Sequence, residues 1–218
     1  RNKPGLMTGE GPDYAGEVVL EDLQLVGRCE TDRELSTAWG LRIDKEWVGE
    51  NMPLRKRSAH KGDAGYVLVV GGGPGMAGAP VLAGFAALRM GAGRVSIACH
   101  PDSWPAGGAC PELMVRAVSD REEMSQLISD ADVLVIGPGL GQTAWAEEMY
   151  EVCVQSKGRK VIDADGLNLL ARNPRTLACS VLTPHPGEAG RLVALSSKEV
   201  QANRPKVIDE LVSKFDAT

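Results

Sequence analysis

The unbroken apolar run from Tyr66 to Val70 constrains the fold of this chain more than any other feature of its sequence. A strand that is apolar at every position has to be buried on both faces, which is typical of a parallel sheet with helices on each side. A glycine-rich loop follows, and then residues 79–90, which are apolar nearly all round, as in a helix buried against a sheet. The order strand, loop, helix predicts the first unit of a parallel α/β fold.

The same alternation recurs along the rest of the chain. Short apolar segments predict further strands at residues 94–99, 132–137, 160–163 and 180–183. Segments of helical character lie between and after them, at residues 121–129, 142–157, 166–171, 188–194 and 204–215. Strands that alternate with helices pair in parallel, and the helices cover both faces of the sheet. We therefore predict an α/β fold with three layers and a doubly wound, mostly parallel sheet.

The beginning of the chain has a different character. Residues 18–20 are apolar and predict a short strand, and one helix is expected near residues 32–39. The stretch from residue 27 to residue 57 is otherwise charged and without a clear period, and it ends in a basic cluster at residues 54–57. That cluster either contacts a phosphate or belongs to a solvated linker, and the sequence leaves both interpretations open.

Composition argues against several classes of protein. The 218 residues carry a net charge of -5, which disfavours a general nucleic-acid binder. No apolar run approaches the roughly 20 residues needed to cross a bilayer, and no signal-peptide pattern opens the chain. The five cysteines are scattered, and no C-x-x-C pair indicates zinc or a disulfide framework. We expect a cytoplasmic protein with free thiols and with neither a membrane nor a nucleic acid as partner.

Four unusual loops follow predicted strands. They read GGGPGMAG (71–78), GPGLG (137–141), DADG (163–166) and TPHPGE (183–188). The carboxyl ends of parallel strands share one edge of the sheet, and ligands of open α/β sheets bind at that edge. We therefore predict that these loops form a binding site there.

The first loop fits the dinucleotide-binding pattern G-x-G-x-x-G through Gly73, Gly75 and Gly78. That pattern requires an acidic residue about 20 positions further on, at the end of the next strand. The nearest candidate, Asp102, comes late and is crowded by prolines, and Pro74 sits oddly inside such a loop. A dinucleotide fingerprint is therefore disfavoured, although backbone N–H groups at a helix start can still hold an anion.

The loops GPGLG and DADG each allow two interpretations. Gly139 and Gly141 serve a tight turn that needs positive φ, or they leave room for a flat ligand against the backbone. Asp163 and Asp165 place two carboxylates at a strand end, where they suit a hydrated Mg²⁺. Asp165 is alternatively the N-cap of the following helix.

The loop TPHPGE places His185 between two prolines, so a stiff backbone aims its imidazole. We favour a ligand-contacting histidine over a packed structural one. Glu188 either prepares a metal or phosphate site, or it begins a helix, where a negative charge suits the helix dipole. Glu188 and Asp163 are our candidate metal ligands.

Several segments together closely resemble the ADP/ATP-dependent NAD(P)H-hydrate dehydratases. They read HKGDAGYVLVVGGGPGMAGAPVLAGFAALRMGAGRVSIA, DVLVIGPGLG, VIDADGLNLLA and VLTPHPGEAGRLV. These enzymes form the C-terminal half of bifunctional YjeF-type repair proteins and belong to the ribokinase-like superfamily. The opening GLMTGEGPDYAGEVVLEDL resembles the end of the partner domain, an NAD(P)H-hydrate epimerase. The resemblance implies an epimerase tail at residues 1–25, a linker at 26–58 and a dehydratase domain, incomplete at its C-terminus, at 59–218.

The resemblance also implies a reaction, the restoration of NADH or NADPH from its hydrated form at the expense of ADP or ATP with Mg²⁺. Family members contact the damaged cofactor at positions matched here by Ala79, Gly139, Gly141 and His185. The implied partner is therefore a small molecule, the hydrated dinucleotide, and the implied full-length assembly is a homo-oligomer.

This chain departs from the family in one respect. The Lys-Gly-rich nucleotide loop and the Gly-Thr-Gly-Asp turn, which carries the catalytic aspartate, do not occur in it, so that residue is expected beyond Thr218. We expect this chain to be inactive alone and to expose the apolar face formed by Val207, Leu211 and Phe215. Two alternatives remain. One is a ribokinase-like kinase of a vitamin precursor, although related vitamin kinases carry asparagine at the position of His185. The other is a non-catalytic nucleotide-binding fragment.

Overall fold

The computed structural model describes residues 3–19, 21, 43–52, 54–103 and 110–218. The chain divides into two compact units, residues 1–57 and residues 58–218.

The first unit contains short helices in its described part. A 3-10 helix at Pro4–Leu6 is followed by α1 (Gly11–Ala15) and α2 (Lys45–Asn51). The Asp44 carboxylate caps α2 by accepting the N–H of Trp47 at 2.9 Å. The strand predicted at residues 18–20 is wrong for Val18 and Val19, which are exposed and pair with no strand of the described part. The helix predicted near residues 32–39 lies outside the described residues.

The second unit contains six strands and, apart from a 3-10 helix at Lys61–Ala64, seven helices in its described part. The strands are β1 (Tyr66–Val70), β2 (Arg94–Cys99), β3 (Met114–Ala117), β4 (Val133–Ile136), β5 (Arg159–Ile162) and β6 (Ser180–Leu182). The helices are α3 (Gly78–Met90), α4 (Arg121–Ser129), α5 (Ala144–Gln155), α6 (Ala164–Arg172), α7 (Pro186–Val193), α8 (Ser197–Ala202) and α9 (Arg204–Phe215).

All neighbouring strands of the sheet pair in parallel, in the order β3-β2-β1-β4-β5-β6. The predicted doubly wound α/β fold is thus confirmed. The chain proceeds outward in one direction from β1 to β3 and in the other from β4 to β6. The direction reverses between β1 and β4, and ligands of such sheets bind in the crevice at the carboxyl end of that reversal.

Two hydrophobic cores cover the two faces of the sheet. Leu68 and Val70 of β1 are fully buried in the larger core, which α4 to α9 complete. Val69 points to the opposite face and packs with Val95 and Ile97 beneath α3. This alternation explains why every position of β1 is apolar, since both faces of this strand are buried.

The face beneath α3 is less well covered over the other half of the sheet. Val135, Val161 and Val181 lie side by side on that face because they are register partners in β4, β5 and β6. The first two are only partly buried, and Val181 is 43% exposed. Ile136 and Ile162, on the opposite face, are fully buried.

The expected exposure of Val207, Leu211 and Phe215 is wrong. These residues are 4%, 7% and 0% exposed, because α9 packs into the larger core. The chain after α9 then pairs with β6: the Thr218 N–H donates to the Ser180 carbonyl, and the Leu182 N–H donates to the Thr218 carbonyl. The valine face of β4 to β6, rather than this face of α9, is an apolar surface that stays partly open in the described chain.

The cysteines of the described part are free thiols, as expected. Cys99, Cys110 and Cys153 are buried, and Cys179 is exposed. Burial raises the pKa of the Cys153 thiol to about 12, so this group stays protonated and unreactive near neutral pH.

None of the helices in the described residues combines the length and the apolar character that a membrane span requires.

Candidate functional site

The loops that follow β1 and β4 pack directly against each other at the switch point of the sheet. The Gly72 N–H donates to the Pro138 carbonyl at 3.2 Å, and the Gly73 N–H donates to the Gly139 carbonyl at 2.7 Å. A Cβ atom on Gly71 would lie 2.0 Å from the Pro138 oxygen. These glycines are therefore needed for a close approach of two backbones.

This packing also argues against the dinucleotide fingerprint for the first loop, of which Gly73 is the first glycine. The Gly71 N–H donates to the Ala98 carbonyl at 3.1 Å, so the amides of Gly71, Gly72 and Gly73 all bond within the protein. They are not available to a pyrophosphate. Asp102, the candidate ribose-binding acid, is exposed, and its own N–H donates to His100 Nδ1 at 3.2 Å.

Gly139 and Ala79, two of the predicted substrate contacts, are neighbours at this point. Gly139 adopts a φ of 59°, and a Cβ placed on it would lie 3.1 Å from the Ala79 Cβ. Ala79 is in the first turn of α3, and the N-cap residue Ala77 makes no capping hydrogen bond through its side chain. The first N–H groups of a helix have no partner within the helix, so this start can donate to an anionic or carbonyl ligand.

Gly141, the third predicted contact, is held by Asp165, for which the sequence suggested a metal site or a helix N-cap. Its N–H donates to Asp165 Oδ2 at 2.9 Å, and the other oxygen of Asp165 accepts from the Asn168 amide at 3.2 Å. The Asp165 carboxylate therefore fastens the GPGLG loop to α6. The suggestion that Asp165 is the N-cap is wrong, because Asp163 occupies the N-cap position of α6.

We expect Asp165→Ala to destabilise the fold by about 1.5–3 kcal/mol, the usual contribution of hydrogen bonds to a charged group. The loss arises because the buried Gly141 N–H is left without its carboxylate acceptor. Asp165→Asn keeps an oxygen acceptor and should lose less than half of that amount. Urea unfolding of the three proteins measures both changes. Equal stability of Asp165→Ala and the wild type would contradict this role.

Asp163 and Ala164 begin α6 in an unusual conformation. The Asp163 side chain makes no capping hydrogen bond, although N-cap aspartates usually make one. Ala164 has a φ of 48°, a left-handed conformation that costs a non-glycine residue of order 1–3 kcal/mol. An uncapped helix start and a strained residue at the carboxyl edge of the sheet are typical of a functional position. By contrast, Thr143 caps α5 and His185 caps α7.

His185 and Glu188 form a capping box at the start of α7. His185 Nδ1 accepts the Gly187 N–H at 3.0 Å, and the His185 N–H donates to Glu188 Oε2 at 2.9 Å. Because Nδ1 is an acceptor, the neutral ring carries its proton on Nε2, which lies 3.3 Å from Glu188 Oε1. The His185 side chain is 63% exposed and that of Glu188 only 8%.

The two interpretations of His185 are therefore compatible. The imidazole caps the helix through Nδ1 and faces Glu188 through Nε2, while 63% of the His185 side chain stays exposed at the carboxyl edge. Glu188 lies in the first turn of α7, where its negative charge suits the helix dipole as one interpretation of the sequence suggested, and it also orients His185.

The described residues contain no cluster of three or more histidine, cysteine, aspartate or glutamate side chains that could hold a metal ion. Mg²⁺ is commonly held by one or two carboxylates together with substrate phosphates. Asp163 suits that pattern, since no described residue donates a hydrogen bond to its carboxylate. Glu188 suits it less well, since its carboxylate already faces His185.

A chain of hydrogen bonds links α7 to the GPGLG loop. Arg191 of α7 donates to Asn168 Oδ1 at 3.0 Å, Asn168 donates to Asp165, and Asp165 accepts from Gly141. The helix that begins at His185 is thus connected to the loop that holds Gly139 and Gly141. Sequence reasoning missed this connection, because nothing in the local pattern pairs residues so far apart along the chain.

The fold defines a doubly wound α/β protein, and its unusual loops lie at the carboxyl edge of the sheet. Residues 67–218, more than half of the chain, match the family described as NAD(P)H-hydrate dehydratase. The bifunctional NAD(P)H-hydrate repair enzyme Nnr of Coxiella burnetii is 41% identical over 220 residues. That alignment covers 98% of this chain but 43% of the relative, so the chain spans less than half of the relative's length.

Solved structures agree with this match. The ADP/ATP-dependent NAD(P)H-hydrate dehydratase of Bacillus subtilis, co-crystallized with ATP and Mg²⁺, superposes with a TM-score of 0.69 at 27% identity, covering 80% of this chain and 63% of that one. A protein of Enterococcus faecalis described as ribokinase-like superposes with a TM-score of 0.66 at 26% identity, covering 76% and 62%. The chain belongs to the NAD(P)H-hydrate dehydratase family, and its fold is ribokinase-like, as predicted.

Proposed function

We propose that this chain supplies the substrate-binding part of an enzyme that dehydrates hydrated NADH or NADPH with the help of ADP or ATP. The observation that carries the proposal is the grouping at the switch point. There the uncapped start of α3 at Ala79 lies beside Gly139, and Asp165 fixes Gly141 in the same loop. Gly139 and Gly141 let the loop approach Ala79 and Met76 closely, and the helix start offers N–H donors to the polar groups of a ring that lies against it.

The chemistry consists of two steps. The hydroxyl oxygen of the hydrated nicotinamide ring attacks the terminal phosphorus of ADP or ATP and loses its proton, and the bond to the departing nucleotide breaks. The lone pair of the ring nitrogen then expels the phosphate, and the neighbouring carbon loses a proton, which restores the double bond of NADH or NADPH. In this scheme Ala79, Gly139, Gly141 and the exposed imidazole of His185 hold the ring in place.

Mg²⁺ would accompany the nucleotide and neutralise charge on its phosphates. Asp163 would be the direct protein ligand, because its half-buried carboxylate has no hydrogen-bond donor among the described residues. Glu188 would be the weaker metal ligand of the two, because its carboxylate is already engaged with His185.

The bifunctional relative, whose alignment includes nearly all of this chain, supports a proposal for the wider organisation. We assign residues 1–25 to the end of an epimerase domain, 26–58 to a linker and 59–218 to the dehydratase domain, and we place the protein in the cytoplasm. A homo-oligomer is supported by α3, which exposes Leu82 (71%), Phe85 (43%) and Met90 (79%) along one side. Exposed apolar stripes of this kind commonly mark contacts between subunits.

A polypeptide that combines this chain with a Gly-Thr-Gly-Asp segment tests the proposed function. With ADP or ATP, it should regenerate the near-ultraviolet absorbance of NADH from hydrated NADH. Regeneration that needs no nucleotide, or phosphorylation of a hydroxymethyl vitamin precursor in preference to the hydrated cofactor, would contradict the proposal.

The two roles of His185 are separable by substitution. His185→Asn retains a good N-cap, so its stability should match the wild type within about 0.5 kcal/mol, while His185→Ala should lose about 1 kcal/mol. Both variants lack the imidazole and should bind hydrated NADH more weakly by about 1–2 kcal/mol, the cost of one polar contact. Melting curves and isothermal titration measure the two effects. A histidine that only caps the helix would leave the affinity of His185→Asn unchanged.

A further inference from the structure

An open cavity of about 460 Å³ lies between the loop after β4 and helices α6 and α7. Its lining residues are Gln142, Asn168, Ala171, Arg172 and Arg191. Two of them carry a guanidinium group and none carries a carboxylate. Gln142 directly follows Gly141, so the cavity begins one residue away from a proposed contact of the nicotinamide ring.

The charge of this cavity is only partly balanced. Arg172 Nη1 lies 3.3 Å from Glu147 Oε1, and its other terminal nitrogen bonds to the side-chain oxygen of Gln142. Arg191 forms no ion pair within the described residues. It donates a hydrogen bond to the neutral side-chain amide of Asn168. Each guanidinium has five N–H donors, so both arginines keep donors for a ligand. Their planar forks match the oxygens of a phosphate.

The cavity is built on the same hydrogen bonds that fix the substrate loop. Arg191 holds Asn168, Asn168 holds Asp165, and Asp165 holds Gly141. Gln142 Nε2 also lies 3.4 Å from Asp165 Oδ1. The positions of the guanidinium groups are thereby coupled to the position of the loop that would contact the ring.

We propose that this cavity is a phosphate subsite for the dinucleotide substrate, in which Arg172 and Arg191 bind its pyrophosphate or its 2′-phosphate. The inference rests on the proposed function, and it extends the substrate site from the nicotinamide ring toward the adenosine half. The cavity has the size of an ordinary ligand pocket rather than that of an ion site. The free nucleotide is a less suitable occupant, since the family motifs that bind it do not occur in this chain.

A second cavity, of about 480 Å³, provides a matched control. It lies at the opposite edge of the sheet, where Tyr66 and Arg94 begin their strands. Asp130 and Asp132 line it too, and the Arg94 guanidinium lies 3.9 Å over the ring of Tyr66. Arg94→Gln therefore removes the same charge from a cavity that is balanced by carboxylates and is remote from the four loops.

Isothermal titration of the wild-type chain, Arg172→Gln, Arg191→Gln and Arg94→Gln with NAD⁺, NADP⁺ and ADP tests the subsite. Arg172→Gln and Arg191→Gln should each weaken dinucleotide binding about tenfold, as expected for a charged hydrogen bond, while Arg94→Gln changes nothing. A loss for NADP⁺ alone supports binding of the 2′-phosphate. An equal loss for both dinucleotides supports binding of the pyrophosphate.

Four results would overturn the subsite: no dinucleotide binding by the wild type, unchanged affinities in both variants, an equal loss in Arg94→Gln, or a loss confined to ADP. The proposed function is tested separately, by turnover of hydrated NADH by the chain joined to a Gly-Thr-Gly-Asp segment, with and without each arginine substitution. An enzyme that dehydrates its substrate equally well with Arg172→Gln and Arg191→Gln refutes the subsite and keeps the function. Dinucleotide binding that depends on the arginines, in a joined protein that does not dehydrate hydrated NADH, refutes the proposed function and keeps the subsite.

Discussion

Gly137→Ala should remove roughly 3–5 kcal/mol from the free energy of unfolding, a large part of the total stability of a typical domain. Gly137 has a φ of 122°, which L side chains rarely adopt. A Cβ atom at this position would also lie 1.8 Å from the Asp163 carbonyl oxygen and 2.7 Å from the Gly166 nitrogen. The loop after β4 and the start of α6 would have to move apart. The candidate site, which both segments help to form, would be distorted with them.

Gly75→Ala is the matched control. Gly75 also has a positive φ, of 78°, but a Cβ there would meet nothing within 4 Å. Its replacement should therefore cost only the left-handed conformation, about 1–2 kcal/mol. Urea unfolding followed by circular dichroism measures both changes. If the two variants lost equal stability, the close approach of the two backbones at Gly137 would not be the constraint that the structure indicates.

The second large effect concerns catalysis. This chain alone should turn over hydrated NADH at least about 1,000-fold more slowly than the chain joined to the C-terminal segment of a dehydratase relative. The reason is the lack of a Gly-Thr-Gly-Asp turn in the chain, since removal of a group that acts in the transition state costs orders of magnitude in rate.

The rate of NADH regeneration with ADP or ATP measures this difference. Replacement of the turn's aspartate by asparagine in the joined protein is the control, and it should return the rate to that of the isolated chain. Turnover by the isolated chain within tenfold of the joined protein would contradict the assignment of catalysis to that aspartate.

The sequence predicted the architecture well because the period of its apolar residues is strong. Tyr66–Val70 has its predicted bounds in the structure, and so has Arg204–Phe215. The strand Met114–Ala117 was missed because it is a four-residue edge strand with an arginine, so no continuous apolar run identifies it. The short helix Ser197–Ala202 was also missed, although Ser196 and Glu199 form a capping box at its start.

The site was predictable as a set of loops but not as a set of contacts. The topology brings strand ends together, so the loops that contain Gly139 and His185 were expected at one edge of the sheet. The role of Asp165 depends on a hydrogen bond to Gly141, which lies 24 residues earlier in the chain. The burial of Phe215 likewise depends on packing in three dimensions, and an amphipathic pattern alone does not show which surface receives it.

The proposal that the substrate binds at the carboxyl edge of the sheet is tested by mapping where this chain binds hydrated NADH. Amide chemical shifts of the ¹⁵N-labelled chain, recorded during a titration without added nucleotide, report contacts while the ligand stays intact. We expect the largest shifts at the carboxyl edge of the sheet, at Ala79, Gly139, Gly141 and His185. Shifts confined to the opposite edge, around Lys61 and Arg94, or no saturable shift at all, would contradict the proposal.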